Sequence, residues 1–203
     1  MPANRAAPSR DALTGLILAG GRGQRLGGVD KGLQPWRGLP LVDHALARLA
    51  PQVHSVMISA NRNTALYATR AARVLPDASE DFPGPLAGIL AGLRAASTPW
   101  LAVVPCDSPL LPPDLFARLA RGLGDARGAV VQRDHGAGGR RLEPVCCLLA
   151  TALADDLAAY LAEGSRKVEG WVARHAAPVL FDGPDDAAAF ANVNTPADLE
   201  GGD

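Results

Sequence analysis

Short runs of hydrophobic residues alternate along the chain with longer stretches in which hydrophobic residues recur every three or four positions. Most of the short runs are apolar at consecutive positions, which is typical of strands buried on both faces of a parallel sheet. Together the runs predict seven strands. These lie at residues 13–19, 56–59, 73–75, 100–105, 129–132, 145–149 and 178–181.

Four of the longer stretches place their hydrophobic residues on one face of an α-helix. The apolar positions are Leu41, Val42, Ala45, Leu46 and Leu49; Leu86, Ile89, Leu90 and Leu93; Leu115, Phe116, Leu119 and Leu123; and Leu153, Leu157, Tyr160 and Leu161. Alternating strands and helices predict an α/β fold, a mostly parallel sheet with helices on both faces. Ligands of such sheets bind beyond the carboxyl ends of the strands.

The first twelve residues are small and polar without hydrophobic periodicity. We expect residues 1–12 to form a loose N-terminal extension and residues 13–203 to form one domain, a size ordinary for a single hydrophobic core.

Charge and composition narrow the possible functions. The 20 basic and 21 acidic residues give a net charge of −1, which provides no overall field for nucleic acid or an anionic membrane. No apolar run is long enough to span a bilayer. Three cysteines, two of them adjacent, form neither a disulfide framework nor a spaced metal set. We therefore expect a cytoplasmic protein that binds neither nucleic acid nor membrane.

The segment after the first strand, LAGGRGQRLGGVDKGL at residues 18–33, is rich in glycine and in cations. Glycines allow several backbone N–H groups to approach phosphate oxygens, and Arg22, Arg25 and Lys31 add positive charge. The segment predicts a triphosphate site, although it matches neither the dinucleotide fingerprint nor the P-loop. A glycine-rich surface turn with solvated arginines is the alternative.

One carboxylate, Asp107, directly follows the buried strand at residues 100–105. Mg²⁺ is commonly held by one or two carboxylates together with substrate phosphates, so Asp107 is a candidate magnesium ligand. Alternatively, Asp107 is a turn or cap residue ahead of the prolines that follow it.

With these residues identified, the chain resembles the molybdenum cofactor guanylyltransferases, members of the nucleotidyltransferase superfamily with a Rossmann-like fold. The glycine-rich segment matches the opening signature of that family. Further matching blocks follow in the family's order, at residues 59–62, at Asp77 with residues 82–88, at residues 105–109 and at residues 192–196. The resemblance extends from Gly15 to Leu199, and it implies a three-layer nucleotidyltransferase domain.

The resemblance also implies roles for individual residues. The GTP-binding residues would be Leu18, Ala19, Gly20, Gly21, Arg22, Lys31, Asn61, Asp77, Gly84 and Asp107. The catalytic residues would be Lys31, Asp107 and Arg25, with Asp107 as the Mg²⁺ ligand. Asn192 and Asn194, two apart and on one side of an extended segment, would bind molybdopterin.

For several of these residues a simpler role is equally open. Asp77 could cap a turn, and Asn61 is an ordinary turn residue. Gly84 could serve helix packing instead of the nucleotide, and one of the two asparagines could cap the following helix. Residues 133–141, rich in glycine and arginine, predict a mobile loop that either binds an anionic second substrate or is merely solvated.

The reaction implied by the resemblance transfers GMP from GTP to molybdenum-bound molybdopterin and releases pyrophosphate. The implied partners are those two substrates, the proteins that synthesise and insert the cofactor, and client molybdoenzymes. Sugar nucleotidyltransferases usually carry proline before the lysine, where this chain has Asp30. Cytidylyltransferases for the same cofactor usually have Leu-Ala-Ala-Gly at the opening. Transfer of CMP, a different phosphate acceptor and a non-catalytic GTP-binding carrier stay as alternatives.

Overall fold

The computed structural model describes residues 6–20, 29–76 and 84–200. Nine strands form a seven-stranded sheet and a separate two-stranded ribbon in these ranges. The strands are β1 (Leu13–Leu18), β2 (Pro35–Trp36), β3 (Leu39–Pro40), β4 (Ser55–Ser59), β5 (Arg73–Leu75), β6 (Trp100–Pro105), β7 (Gly128–Asp134), β8 (Arg140–Ala150) and β9 (Ala176–Phe181).

The helices connect the strands and cover the sheet. They are α1 (Leu41–Leu49), α2 (Thr64–Ala68), α3 (Pro85–Ala95), α4 (Leu115–Arg121), α5 (Ala154–Ala162), α6 (Val168–His175), α7 (Asp186–Ala189) and α8 (Pro196–Glu200). One short 3₁₀ turn precedes β1 at Arg10–Ala12, and another forms the end of the glycine-rich segment at Lys31–Leu33. Within the described ranges no helix is long and apolar enough to cross a membrane.

The large sheet has the order β5-β4-β1-β6-β8-β7-β9. Strands β5, β4, β1 and β6 pair in parallel, as do β7 and β9. Strand β8 pairs antiparallel with both of its neighbours, β6 and β7. The expected α/β class with a mostly parallel sheet is therefore confirmed, with one reversed strand in its interior.

Hydrophobic residues from successive strand positions point to opposite faces of the sheet, and both faces are buried. Leu13 and Ile17 of β1 pack in a cluster with α1 and α4, whereas Leu16 packs in a second cluster with α3, α5 and α6. Because a strand's side chains alternate between faces, helices on both sides account for the continuous apolar runs. This is the three-layer arrangement expected from the sequence.

The expectation of a mobile loop at residues 133–141 is wrong. Arg133 and Asp134 are the last residues of β7, Arg140 and Arg141 begin β8, and a 3₁₀ turn at Gly136–Gly138 joins the two strands. The four polar residues pair in register across the hairpin. Their polarity reflects strand ends that extend beyond the hydrophobic core, which is why the pattern of apolar residues did not reveal them.

Candidate functional site

A cavity of about 270 Å³ opens at the carboxyl ends of β1 and β6. Its walls come from the ends of both strands, the turn after β6, the start of α3, the middle of β8 and the segment that follows α7. The lining residues are Leu18, Ala19, Gly20, Lys31, Pro85, Pro105, Cys106, Asp107, Ser108, Glu143, Val145, Cys146, Phe190 and Asn192. The cavity therefore lies where parallel-sheet proteins bind their ligands.

The sheet's hydrogen bonding continues past the strand ends and fixes the floor of the cavity. The N–H of Ala19 donates to the carbonyl of Ser59 at 2.9 Å, and the N–H of Cys106 donates to the carbonyl of Leu18 at 3.1 Å. Backbone groups paired in this way hold Asp107, the next residue, at a defined position on the cavity rim.

Lys31 links two of the predicted site residues. Its Nζ lies 2.6 Å from Oδ2 of Asp107 and 2.6 Å from Oδ1 of Asn194. The side chains of Lys31 and Asp107 are each 21% exposed, so the ion pair is shielded but open to the cavity. Residues 31, 107 and 194 thus meet at one point although they are far apart in sequence.

Asn192 contacts the turn that follows β6. Its Oδ1 accepts a hydrogen bond from the Ser108 hydroxyl at 2.6 Å. Between the two asparagines, the N–H of Val193 donates to the carbonyl of Asp107 at 2.9 Å. The extended segment is therefore attached to the strand-end turn by backbone and side chain together.

The helix that follows is capped by other residues than the asparagines. The backbone N–H groups of Asn194 and Thr195 donate to the carboxylate of Asp198, each at 2.8 Å, while the N–H of Asp198 donates to the Thr195 hydroxyl at 3.2 Å. This reciprocal pattern is a capping box with Thr195 at its start. The side-chain amide of Asn194 is left to contact Lys31.

Only some of the other residues predicted to bind the nucleotide lie at the cavity. Leu18, Ala19 and Gly20 line the cavity. Gly84 directly precedes the cavity residue Pro85 and has φ +133°. Asn61 is exposed at the carboxyl end of β4, outside the described cavity wall. Gly21, Arg22, Arg25 and Asp77 lie outside the described residues, as do residues 82 and 83 of the block at residues 82–88.

Sequence reasoning missed two polar groups, one in the cavity wall and one buried behind Lys31. Glu143, from β8, lines the cavity and accepts a hydrogen bond from Nη1 of Arg133 at 3.2 Å. Asp30, only 8% exposed, accepts hydrogen bonds from Tyr67 at 2.6 Å and from Asn63 at 3.0 Å. Asp30 contacts Tyr67, which lies 37 residues away, and Glu143 pairs with Val131 where the register between β7 and β8 shifts. Neither feature leaves a local pattern in the sequence.

The thiols in the cavity wall are uncharged. Burial, with a smaller contribution from the neighbouring Asp107 charge, raises the pKa of Cys106 to about 12. Burial is also the main cause of the raised pKa of Cys146. Because a thiolate is the nucleophilic form of cysteine, neither residue is suited to nucleophilic catalysis or to metal binding at neutral pH. Their contribution to the cavity is apolar surface.

Oxygen donors surround the lysine. Asp107 provides a carboxylate and Asn194 an amide oxygen, both of the hard-ligand type that suits Mg²⁺. Among the described residues, no group of three His, Cys, Asp or Glu side chains converges as a complete metal site. These donors fit a divalent ion that completes its coordination with substrate phosphates and water, as Mg²⁺ commonly does.

Comparison with known proteins gives a consistent result. Residues 15–179 match the family described as MobA-like NTP transferase domain. A protein of Ralstonia nicotianae named molybdenum cofactor guanylyltransferase is 53% identical over 95% of this chain and 96% of its own length. A protein of Cupriavidus necator with the same name is 54% identical over 92% and 94%.

Solved structures agree on the fold. Molybdopterin-guanine dinucleotide biosynthesis protein A from Archaeoglobus fulgidus has a TM-score of 0.71 at 23% identity and covers 93% of this chain and 96% of its own. The 4-diphosphocytidyl-2C-methyl-D-erythritol synthase from Anaerococcus prevotii has a TM-score of 0.72 at 10% identity, covering 95% and 96%. At such identities the likeness concerns the fold alone.

The family match covers most of the chain, and the relative from Ralstonia nicotianae is similar to it over nearly its whole length. The cavity at the carboxyl ends of β1 and β6 lies where a protein with this fold binds its ligand. The chain belongs to the MobA-like NTP transferase family and is a nucleotidyltransferase.

Proposed function

We propose that the protein transfers GMP from GTP to molybdenum-bound molybdopterin, forming molybdopterin guanine dinucleotide and pyrophosphate. The observation that carries the proposal is the lysine held 2.6 Å from both Asp107 and Asn194 at the cavity rim. It places a fixed cation beside a carboxylate at the strand ends, where a triphosphate and a second anion can meet. The name of the relatives, molybdenum cofactor guanylyltransferase, supports a guanylyl group as the group transferred and the molybdenum cofactor as its acceptor.

The chemistry requires alignment and charge neutralisation more than proton transfer. An oxygen of the acceptor's terminal phosphate attacks the α-phosphorus of GTP, a new phosphoanhydride bond forms, and the bond to the β-phosphate breaks to release pyrophosphate. The attacking group is already an anion, so no general base is needed. This agrees with the neutral thiols of the cavity wall.

Lys31 is the described residue best placed to stabilise the charge that develops during transfer. Its ammonium donates to two acceptors and the side chain is only 21% exposed, so the position of the ammonium is set before the substrates bind. Preorganised charge of this kind is the largest contribution in many enzymes. Arg22 and Arg25, outside the described residues, would add charge on the triphosphate.

Asp107 would hold Lys31 and also bind Mg²⁺. When bound, Mg²⁺ would neutralise charge on the α- and β-phosphates of the nucleotide. The two oxygens of Asp107 allow both duties, since only Oδ2 contacts Lys31. Asn192 and Asn194 would orient the phosphate of molybdopterin, and Asn61, Asp77 and Gly84 would bind the guanosine portion of GTP.

The test is an assay of pyrophosphate release with purified protein, Mg²⁺ and molybdenum-loaded molybdopterin, supplied with GTP, CTP, ATP or UTP in turn. We expect release with GTP alone. Release with CTP would contradict the guanine specificity, and turnover with a sugar phosphate in place of molybdopterin would contradict the acceptor. GTP bound in equilibrium dialysis without any pyrophosphate would favour a carrier over an enzyme.

An aspartate pair provides the matched control for the site. Asp107→Asn should lower kcat about 10³-fold, because the variant loses the carboxylate that binds both Lys31 and the metal. Asp114→Asn changes an exposed aspartate just before α4 whose side chain makes no cap hydrogen bond. The control should keep normal turnover. Equal rates for the two variants would exclude Asp107 from the site.

A further inference from the structure

A second carboxylate, Asp30, is buried behind the lysine. Asp30 is 8% exposed, and each of its two oxygens accepts a hydrogen bond. Oδ1 accepts from the Tyr67 hydroxyl at 2.6 Å, and Oδ2 accepts from the Asn63 amide at 3.0 Å. No Lys, Arg or His of the described ranges forms an ion pair with it.

Such a carboxylate is expensive to bury, because charge in a poorly solvated site must be compensated by hydrogen bonds or a cation. Within the described part of the chain, the compensation comes from the neutral donors Tyr67 and Asn63. Tyr67 is fully buried, and its burial and its hydrogen bond to Asp30 raise its pKa above the usual value. The hydroxyl therefore keeps its proton and remains a donor throughout the physiological pH range.

The backbone carbonyl of Asp30 also helps to fix the turn that carries Lys31. The carbonyl of Asp30 accepts from the N–H of Leu33 at 3.2 Å and from Nε2 of Gln34 at 3.3 Å, which closes the 3₁₀ turn at Lys31–Leu33. The turn also lies directly on Tyr67, since a Cβ at Gly32 would approach the Tyr67 hydroxyl oxygen to 2.5 Å. Only glycine allows the turn and the tyrosine to come so close.

We propose that Asp30, Tyr67 and Asn63 form a positioning unit that sets where the Lys31 ammonium lies. Neither Asp30 nor Tyr67 lines the cavity, so both act on the reaction through Lys31. The lysine side chain is long and flexible, so ordering it costs rotamer entropy. A backbone fixed at Asp30 and an ammonium fixed at Asp107 and Asn194 restrict it from both ends. The inference rests on the proposed role of Lys31 in nucleotidyl transfer.

The first experiment compares two buried tyrosine hydroxyls. Tyr67→Phe removes the donor to Asp30. Tyr160→Phe removes a hydroxyl that donates to the Lys167 carbonyl at 3.1 Å, remote from the cavity. We expect each variant to lower Tm by a few degrees, since each loses one hydrogen bond of a buried tyrosine. Only Tyr67→Phe should lower kcat for pyrophosphate release, about tenfold, since misplacement of a catalytic group is costly.

The second experiment asks whether the effect passes through the lysine. In a Lys31→Ala background, Tyr67→Phe should change kcat by less than about twofold, because the group that it positions is absent. The full tenfold loss in that background would show a structural effect and overturn the inference. So would wild-type kcat for Tyr67→Phe in the Lys31 enzyme.

A milder variant keeps the test valid if Tyr67→Phe fails to fold. Asn63 is exposed at φ +50°, a left-handed conformation that glycine adopts freely, so Asn63→Gly removes the amide without backbone strain. It should lower kcat about threefold, again only when Lys31 is present. Full activity of Lys31→Ala would instead refute the proposed function of Lys31, an outcome distinct from failure of the positioning unit.

Discussion

At the scale of single residues, the ion pair between Lys31 and Asp107 is better suited to function than to stability. Both side chains are about one-fifth exposed, and ion pairs open to water typically stabilise a protein by less than about 1 kcal/mol. The pair shares its lysine with Asn194, so the ammonium is constrained by two acceptors. Because the ion pair adds little to the stability of the protein, the Lys31 ammonium can leave Asp107 and Asn194 and bind phosphate oxygens at small cost.

Lys31→Ala should therefore separate activity from stability. We expect kcat to fall about 10²- to 10³-fold, the usual effect of removing one preorganised stabilising group, while the free energy of unfolding changes by less than about 1 kcal/mol. The matched control is Lys167→Ala, because Lys31 and Lys167 are the two lysines of the sequence and Lys167 is exposed. Steady-state pyrophosphate assays and urea denaturation give both quantities. A large stability loss with normal kcat would contradict a catalytic role.

Asn192 should affect the acceptor rather than the nucleotide. Its side chain contacts Ser108 and faces the cavity, whereas Asn194 contacts the lysine. Asn192→Ala should raise KM for molybdenum-bound molybdopterin about tenfold, the equivalent of one hydrogen bond to a charged group. KM for GTP should stay within about twofold. If GTP alone is affected, Asn192 belongs to the nucleotide site instead.

The sequence predicted the individual members of the site better than their connections. Lys31, Asp107 and Asn194 were predicted from three separate motifs, and the structure brings them within hydrogen-bond distance. Their roles in turnover stay predictions. Asp30 was noted only as a departure from proline, because its partner Tyr67 lies 37 residues away on a five-residue helix with little periodicity.

At the scale of elements, helix α3 packs very closely on the sheet edge that forms the cavity floor. A Cβ at Gly88 would lie 2.5 Å from the Ser59 hydroxyl oxygen and 2.9 Å from Cδ2 of Leu18. An alanine methyl group there would force the Ser59 and Leu18 side chains, at the ends of β4 and β1, to shift. The glycine thus sets the distance between the helix and the strand that carries the cavity residues.

Gly88→Ala should destabilise the protein by about 1–3 kcal/mol, the usual cost of overpacking a close interface. The matched control is Gly170→Ala in α6, where a Cβ would meet its nearest atom, the Tyr160 hydroxyl oxygen, at 3.4 Å. With space available, the control should be neutral or stabilising by up to about 1 kcal/mol, since alanine favours helix more than glycine does. Urea denaturation of both variants measures these changes. Equal unfolding midpoints for Gly88→Ala and Gly170→Ala would exclude a close approach at Gly88.

Hydrophobic periodicity predicted the elements of the core and failed at its edges. All seven predicted strands correspond to strands of the large sheet, because burial on both faces requires apolar residues. Helix α6 and the two-residue strands β2 and β3 gave no clear pattern. Residues 133–141 at the tip of the β7–β8 hairpin were predicted as a loop, because the strands extend past the core there and a register shift separates Val130 from Val131.

At the scale of the whole molecule, the chain after β9 closes the site and is anchored on the far half of the sheet. Asp186 forms two hydrogen bonds of 2.8 Å with the Arg118 guanidinium of α4. The ring of Phe190, which lines the cavity, packs edge-on against Phe181 at 5.3 Å between centroids. These contacts hold the segment that delivers Asn192 and Asn194 to the turn after β6.

The hydrogen-bonded ion pair between Asp186 and Arg118 makes the stability of the protein dependent on pH. The hydrogen bonds from Arg118, with one from the Gly183 N–H, lower the pKa of Asp186 below its usual value. A carboxylate whose pKa is lower in the folded state stabilises the protein above its unfolded pKa, near 3.9, and this contribution is lost as pH falls through the folded value. The stabilisation should be complete above about pH 5 and decline in more acidic solution.

Asp186→Asn should therefore lower the free energy of unfolding by about 2 kcal/mol at pH 7, because Arg118 loses a partner that is only 7% exposed. The difference between wild type and variant should shrink as pH falls from about 5 to 3, since the unfolded wild-type chain then takes up a proton at Asp186 more readily than the folded protein does. Asp11→Asn, in a pair with both side chains more than half exposed, should match wild type throughout. Urea denaturation across this range measures the effect. A difference that does not change with pH would mean that packing of the segment, rather than the charge on Asp186, secures Asn192 and Asn194 at the site.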